Sequence, residues 1–392
     1  MRRICVVTGS RADYGPLLAL LHALREHPEI DLRLVVTGGH LVRGQGMTVD
    51  RVKADGFQVD ECLDIVLAGD SPAAVAKSYA LAVIGLVDVF DRLTPDILVV
   101  LGDRYEAHAA AWTAHLRRLP VAHIHGGELS YGSTDDAARH SITKLAHLHF
   151  TANEEFSRRV IQMGEQPDRV FTTGAPSLDT IRSVALLQRG DLEALLGIDL
   201  RDPLFAVTYH PATNDPPGSV AGAKGLIEAL DTFPHATFVF TGTNVDQEAS
   251  AIAEMIDAYV GRHPGRAIVV PSLGQVAYLS LVACASAVVG NSSSGLVEAP
   301  ALGTPTVNIG SRQQGRPRAT SVIDSGESAA EIEHSIRQAL TPRHQQRSRL
   351  ARSPWGDGDA AGRIVDVLAG IEPELVYSKV FGDEPMKCHD RS

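Results

Sequence analysis

Two short stretches, one in each half of this 392-residue chain, carry the residue types best suited to chemistry. His123-Ile-His-Gly-Gly-Glu128 places two imidazoles and a carboxylate just after an apolar run, groups that can exchange protons near neutral pH. Asn291-Ser-Ser-Ser-Gly295 offers hydroxyls and backbone N–H groups ahead of a helical segment, an arrangement that receives phosphate. Proton transfer in one half and an anion cradle in the other point to an enzyme acting on a phosphorylated ligand.

Further candidates sit where other apolar runs end. In Gly9-Ser-Arg-Ala-Asp-Tyr-Gly15, Arg11 carries the planar fork of donors that suits a diphosphate. In Gly102-Asp-Arg-Tyr-Glu106, Asp103 is either a catalytic carboxylate or a helix cap, and Glu106 reads as structural support. Strand alternation puts His123 and His125 on one face, and Gly126-Gly127 then turns the chain so that Glu128 reaches the strand mouth as an acid or base. His-x-His could ligate a metal, but no third ligand accompanies it, so no metal is assigned. The block Ser133–Lys144 reads as a capped helix with Asp136 and His140 paired one turn apart. In Thr208-Tyr-His-Pro211, His210 stands at a strand end, where it can donate to phosphate or exchange a proton. Glu298 follows the serines by one turn and could accept ribose hydroxyls. Arg312 and Arg316 belong to an arginine-rich loop that binds a nucleotide or acidic effector, or is a solvated loop.

Parallel strands must position these groups. Strand-like runs at Ile4–Thr8, Asp31–Thr37, Ile97–Leu101, Val121–His125 and His149–Thr151 alternate with helical stretches at Tyr14–Glu26, Ala73–Leu93, Ala107–Arg118 and Asp135–Ala146. A second series follows at Leu204–Thr208, Thr237–Thr241, Ala267–Val270, Ala287–Val289 and Thr306–Ile309. A helical segment Ala185–Leu196 separates the two series, and Ala360–Gly370 reads as a last helix before a polar tail. The expected fold class is α/β, with two doubly wound Rossmann-like domains facing each other across a cleft.

Composition is that of a water-soluble α/β protein, 44% hydrophobic and 21% charged. No apolar run reaches the ~20 residues that span a bilayer. Met1-Arg-Arg-Ile-Cys-Val-Val reads as a first strand rather than a signal peptide, so the expected location is cytoplasmic, with no membrane partner. The four cysteines are scattered without a CxxC pair, which excludes a zinc ribbon or a disulfide framework. A formal charge of −11 excludes nucleic acid as the main partner.

Taken together, these blocks resemble the hydrolysing UDP-N-acetylglucosamine 2-epimerases, most closely the bacterial sialic-acid and legionaminic-acid branch. The likeness rests on Gly9–Gly15, Leu101–Glu106, His123–Glu128, Arg139-His-Ser-Ile-Thr-Lys144, Tyr209-His-Pro211, Gly290–Glu298 and Asn308-Ile-Gly-Ser-Arg-Gln, in order along both halves. The resemblance implies a GT-B-like fold: an N-terminal domain 1–183 with a terminal helix near 357–372 packing back on it, a nucleotide-binding domain 184–356, and a tail 373–392. It implies conversion of UDP-N-acetylglucosamine and water to UDP and N-acetylmannosamine through 2-acetamidoglucal, without metal or redox cofactor, by a homodimer or homotetramer. The same chemistry on UDP-N,N'-diacetylbacillosamine, or a GDP-linked equivalent, is the close alternative. A GT-B glycosyltransferase, a nucleotide-sugar-binding protein without turnover, and a non-hydrolysing epimerase are the others. The implied catalytic set is Asp103, His125, Glu128, Asp135 and His210. UDP falls to Arg11, Asn291, Ser292, Ser293, Ser294, Gly295 and Glu298. Some family members carry Glu where this chain has His125, which leaves His125 and Glu128 as rival proton carriers.

Overall fold

The computed structural model describes residues 1–67, 71–129, 135–211, 216–242, 249–270, 273–372 and 377–382. The chain divides into two compact units. The first contains Met1–Glu128, Thr134–Thr180 and the chain from Gly356 onward; the second is built mainly from Ile181–Trp355.

Unit 1 is a seven-stranded sheet of β1 (Arg2–Thr8), β2 (Ile30–Thr37), β3 (Glu61–Leu63), β4 (Ile97–Leu101), β5 (Val121–Ile124), β6 (Leu148–Thr151) and β7 (Val170–Thr172). All neighbours pair in parallel in the order β3-β2-β1-β4-β5-β6-β7. Helices cover both faces, so the central strands are buried on both sides and read as continuous apolar runs, as in Ile97–Leu101. One layer joins the helix Arg11–Glu26 to the terminal helix Ala360–Gly370, with Leu17, Leu20, Leu24, Ile364 and Leu368 in a common core.

Unit 2 repeats the plan with β8 (Leu204–Thr208), β9 (Thr237–Thr241), β10 (Ala267–Val270), β11 (Ala287–Gly290), β12 (Thr306–Ile309) and β13 (Val322–Ser325), all parallel in the order β10-β9-β8-β11-β12-β13. Strand order therefore reverses once in each sheet, between β1 and β4 and between β8 and β11. In doubly wound sheets ligands bind beyond the carboxyl ends of strands at such a reversal. Gly9–Arg11 and Gly102–Asp103 lie at the first reversal, and Tyr209–His210 and Asn291 at the second.

Several sequence expectations are corrected. Strands β3, β7 and β13 are short edge pieces of three or four residues, too brief to stand out as apolar runs. The separating helix expected at Ala185–Leu196 begins only at Arg189 and runs to Leu196, and a further helix, Pro176–Ser183, precedes it. Strand β5 ends at Ile124, because His125 adopts a left-handed φ of 68°. The alternation that was to carry His123 and His125 on one face thus stops one residue early. Finally, the helix Pro72–Leu93 is long and apolar enough to cross a membrane by length and composition, with mean hydropathy 1.7 over its most apolar window. Its polar interruptions hide this from a search for uninterrupted runs. Ser78, Ala82, Leu86, Val89 and Phe90 on one side of that helix are buried in unit 1.

Candidate functional site

Unit 1 gathers ionisable groups at the tips of β4 and β5. Asp103 follows Gly102, whose φ of 81° ends β4 in a conformation that favours glycine. Asp103 stands one residue before the N-cap position of the helix Tyr105–Leu116, which is taken by Arg104 without a side-chain cap bond. The Asp103 carboxylate is ion-paired to the guanidinium of Arg139, which is buried with 2% of its surface exposed. Arg139 also donates to Asp136 at 3.1 Å, and Asp136 contacts His140 Nε2 at 3.4 Å. The helix Asp135–Leu145 therefore presents Asp135 at its start and grips Asp103 one turn on. The cap expected at Ser133–Thr134 lies outside the described residues.

His123 is buried and acts as a brace. One ring nitrogen, Nε2, lies 2.8 Å from the Gly102 carbonyl and the other, Nδ1, 3.2 Å from Thr143 Oγ1. Burial pushes its pKa down to about 3, outweighing the hydrogen bond to Gly102, so it stays neutral. It fixes the peptide before Asp103 and ties it to the helix that carries Arg139.

His125 Nδ1 contacts Glu128 Oε1 in a short, largely buried pair. The left-handed backbone of His125 and the turn at Gly127 swing the two side chains together. Gly127 has φ 78°, and a Cβ there would stand 2.4 Å from the Phe156 carbonyl oxygen, so no other residue fits without moving that helix. A strained non-glycine φ at a strand tip is the kind of conformation that surrounding structure holds for function. The two rivals for the proton are thus one coupled pair.

Around β1, the amides of Gly9 and Ser10 donate to Asp13 at 2.8 and 2.7 Å, in a capping box that opens the helix at Arg11. These two N–H groups are consumed, and the Arg11 side chain beside them is exposed. Sequence reasoning missed Asp13 and the buried His40, whose Nε2 lies 3.0 Å from Thr8 Oγ1. Glu106, paired with Arg104 at 2.9 Å, sits directly under Gly9 and Gly38. Arg139 was visible as part of a motif but had no assigned role.

Unit 2 places His210 beside Asn291. The His210 amide donates to Asn291 Oδ1 at 2.7 Å, and Asn291 Nδ2 donates to the His210 carbonyl at 2.8 Å. Both ends of the Asn291 amide are spent on the backbone, so Asn291 shapes the turn. Gly290 allows the approach: a Cβ there would fall 1.9 Å from the Thr208 carbonyl. Ser293–Gly295 form one tight 3-10 turn and Glu298–Ala301 a single helical turn. The expected helix N-terminus is thus a brief turn with little macrodipole, and what it offers an anion are hydroxyls and N–H groups. Ser292 caps the turn, and Ser294 Oγ is buried without a hydrogen-bond partner among the described residues. Glu298 is half-buried just beyond. Arg312 and Gln313 donate to the Asn291 carbonyl at 3.0 and 2.8 Å, bracing the serine turn from behind. Arg316 lies three residues beyond that brace.

The His210 pKa is pushed down to about 4, by burial first and by Arg312 second. Its Nδ1 is buried without a partner among the described residues. A neutral imidazole with an unused nitrogen at the sheet's reversal point is equipped to meet a ligand.

The sequence profile described as UDP-N-acetylglucosamine 2-epimerase matches residues 22–369. The chain is 38% identical over 324 residues to the GDP/UDP-N,N'-diacetylbacillosamine 2-epimerase (hydrolyzing) of Campylobacter jejuni, covering 83% of this chain and 84% of that one. It is 34% identical over 371 residues to the UDP-N,N'-diacetylbacillosamine 2-epimerase (hydrolyzing) of Legionella pneumophila, covering 95% and 96%. Among solved structures, the UDP-GlcNAc 2-epimerase of Neisseria meningitidis bound to UDP-GlcNAc shares the fold with a TM-score of 0.81 at 20% identity, covering 93% of this chain and 99% of that one. The profile match, the two hydrolysing relatives and the two-sheet architecture agree: this chain belongs to the UDP-N-acetylglucosamine 2-epimerase family.

Proposed function

We propose that this protein is a hydrolysing 2-epimerase that converts UDP-N-acetylglucosamine and water into UDP and N-acetylmannosamine. The observation that carries the reading is the presence together, at the strand tips of unit 1, of a carboxylate held by a buried arginine (Asp103–Arg139) and a histidine in direct contact with a carboxylate (His125–Glu128).

The C2 proton of the sugar is weakly acidic, so cleavage of the C1–O bond runs ahead of its removal and positive charge builds at C1. Asp103 and Asp135 stabilise that charge and one carboxylate takes the C2 proton, leaving 2-acetamidoglucal and UDP. Water then adds its oxygen to C1 and yields its released proton to a carboxylate of Asp103 or Asp135 left ionised, while the His125–Glu128 pair gives a proton to C2 from the opposite face; exchange with solvent restores the starting protonation. On unit 2, His210 and the Ser292–Gly295 turn hold the departing diphosphate, Asn291 shapes that turn, and Glu298 receives the ribose hydroxyls; on unit 1, Arg11 is the candidate anion-binding cation. Arg312 supports the nucleotide turn through the Asn291 carbonyl, with Arg316 beside it.

A second reading keeps the steps and changes the sugar to N,N'-diacetylbacillosamine; the names of the relatives at 38% and 34% identity favour it. Each UDP-sugar, incubated with the protein in deuterated water and followed by NMR, decides between them. The true substrate gives free UDP and a 2-epimer carrying deuterium at C2. A UDP-linked epimer, or no solvent deuterium at C2, would overturn the hydrolysing mechanism.

We assign the protein to the cytoplasm; the free thiols of Cys5, Cys62 and Cys284 suit a reducing compartment. We also assign it a homo-oligomeric state. The helices Pro72–Leu93 and Tyr105–Leu116 run side by side, joined by Tyr79–His108 at one end and Asp91–Arg117 at the other. That register sets the exposed Leu81, Ile84 and Val87 alongside the exposed Trp112 and Leu116. An apolar face of this kind suits a second copy of the chain, because Asp88 and Asp91 at its edge oppose an anionic bilayer.

A further inference from the structure

The helix Asp135–Leu145 carries Asp135 and Asp136 at its start and Arg139 one turn in, so its axial position sets the geometry around Asp103. Its other end is held by residues from the far end of the sequence. Lys379 Nζ lies 2.7 Å from the carbonyl oxygens of both Lys144 and Ala146, and 3.3 Å from that of Thr143. These belong to the last turn of the helix, where acceptors have no partner within the helix and a cation is favoured by the dipole. The same ammonium lies 2.7 Å from Glu165 Oε2.

Glu165 is the centre of this anchor. It is buried with 2% exposed, and receives Lys144 at 2.6 Å and His149 Nε2 at 3.0 Å besides Lys379. Burial opposes its ionisation, but the His149 hydrogen bond and the two ammonium groups prevail and hold its pKa down to about 2. His149 is the register partner of His123 across β5 and β6. Neighbouring residues complete the attachment. Tyr377 stacks on His147 at 5.1 Å between ring centres. Phe381 covers the Lys144 ammonium at 4.9 Å and packs against Gly164, where a Cβ would collide with its ring at 2.3 Å. The Gly382 amide donates to the Gly164 carbonyl at 2.9 Å. Gln166 Nε2 also donates to the Val380 carbonyl at 3.2 Å, so that five of six consecutive residues are attached to unit 1.

We propose that Tyr377–Gly382 is a positioning strap for the reaction, and that Lys379 is its central positioning residue, fixing the helix that carries Asp135, Asp136 and Arg139, the ion-pair partner of Asp103. The strap touches no candidate catalytic group; it acts by preventing the helix from sliding or fraying at its C-terminal end. This rests on the catalytic reading above for its effect on turnover, but not for its effect on the helix.

The experiment uses the full-length chain as wild type, Lys379→Met, Lys379→Arg and Phe381→Ala, with turnover kinetics and amide hydrogen exchange on each. In Lys379→Met the amides of the helix Asp135–Leu145 should exchange about tenfold faster or more, while those of strands β8, β9 and β11 stay as in wild type. Its kcat should fall by about tenfold or more with KM and UDP affinity within about twofold, since small misplacements of catalytic groups act on the chemical step. Lys379→Arg, which keeps a cation on the carbonyls and Glu165, should restore much of both. If Lys379→Met does not fold, Phe381→Ala, which leaves the buried charges intact, carries the same test. Unchanged exchange in the helix, or unchanged kcat in a variant whose helix exchanges faster, would overturn the proposal. If wild type turns over neither sugar, the function reading fails while the exchange comparison still decides the strap.

Discussion

His210 and Asn291 bond each other twice, backbone amide to side-chain oxygen at 2.7 Å and side-chain amide to backbone carbonyl at 2.8 Å, across the point where the second sheet reverses its strand order. Neighbouring strand tips with no covalent link nearby are thereby held in one register, and the serine turn starts from a fixed point. The pair is largely buried, so each bond left unmade costs on the order of 1–3 kcal/mol.

Asn291→Ala should therefore weaken UDP binding by about tenfold or more while the far-UV circular dichroism stays native. Isothermal titration with UDP measures this. Binding within about twofold of wild type would show that the serine turn is shaped without the lock.

Asp103→Asn should abolish turnover, lowering kcat by about a hundredfold or more, while UDP still binds. The substitution keeps the shape of the side chain but removes the charge that Arg139 holds. Near-normal kcat would remove Asp103 from the chemistry.

Acid should destabilise the fold in a defined window. His123, His147 and His210 are held neutral with pKa values of about 3, 4 and 4, each through burial first. Their folded values lie below the unfolded value of about 6.5, so the unfolded chain binds more protons once pH drops below 6.5. The stability they contribute is complete above about pH 6.5 and is lost as pH falls toward 4. The slope approaches roughly 1.4 kcal/mol per pH unit for each histidine. Urea unfolding midpoints between pH 7.5 and pH 4.5 check the sign, and a flat profile would contradict it.

Ile84→Glu should dissociate the proposed oligomer, because Ile84 is 66% exposed and lies centrally on the apolar face of its helix. Light scattering after size-exclusion chromatography reads the mass directly. A wild-type monomer would refute the assignment.

Much of the architecture was legible in the chain alone. Buried parallel strands leave apolar runs such as Ile97–Leu101, and the helices between them carry their own periodicity. The edge strands Glu61–Leu63 and Val322–Ser325 were not legible, because partly exposed strands need little apolar sequence.

By itself the sequence determined which residue types stand at each strand tip, since a parallel strand ends where its apolar run ends and the next residue is delivered to the carboxyl edge. It also determined the family, through motifs kept in order. Only the tertiary structure decided what those residues do to one another. Asp103 is engaged by Arg139 from a helix three dozen residues away in sequence, a meeting that no local periodicity encodes. His125 leaves its strand with φ 68°, a conformation that histidine's own preference disfavours and that the sequence alone did not reveal. Lys379 reaches the end of the helix Asp135–Leu145 from beyond every motif. Such contacts depend on three-dimensional closure, in which the net gain of each bond depends on what else is buried with it.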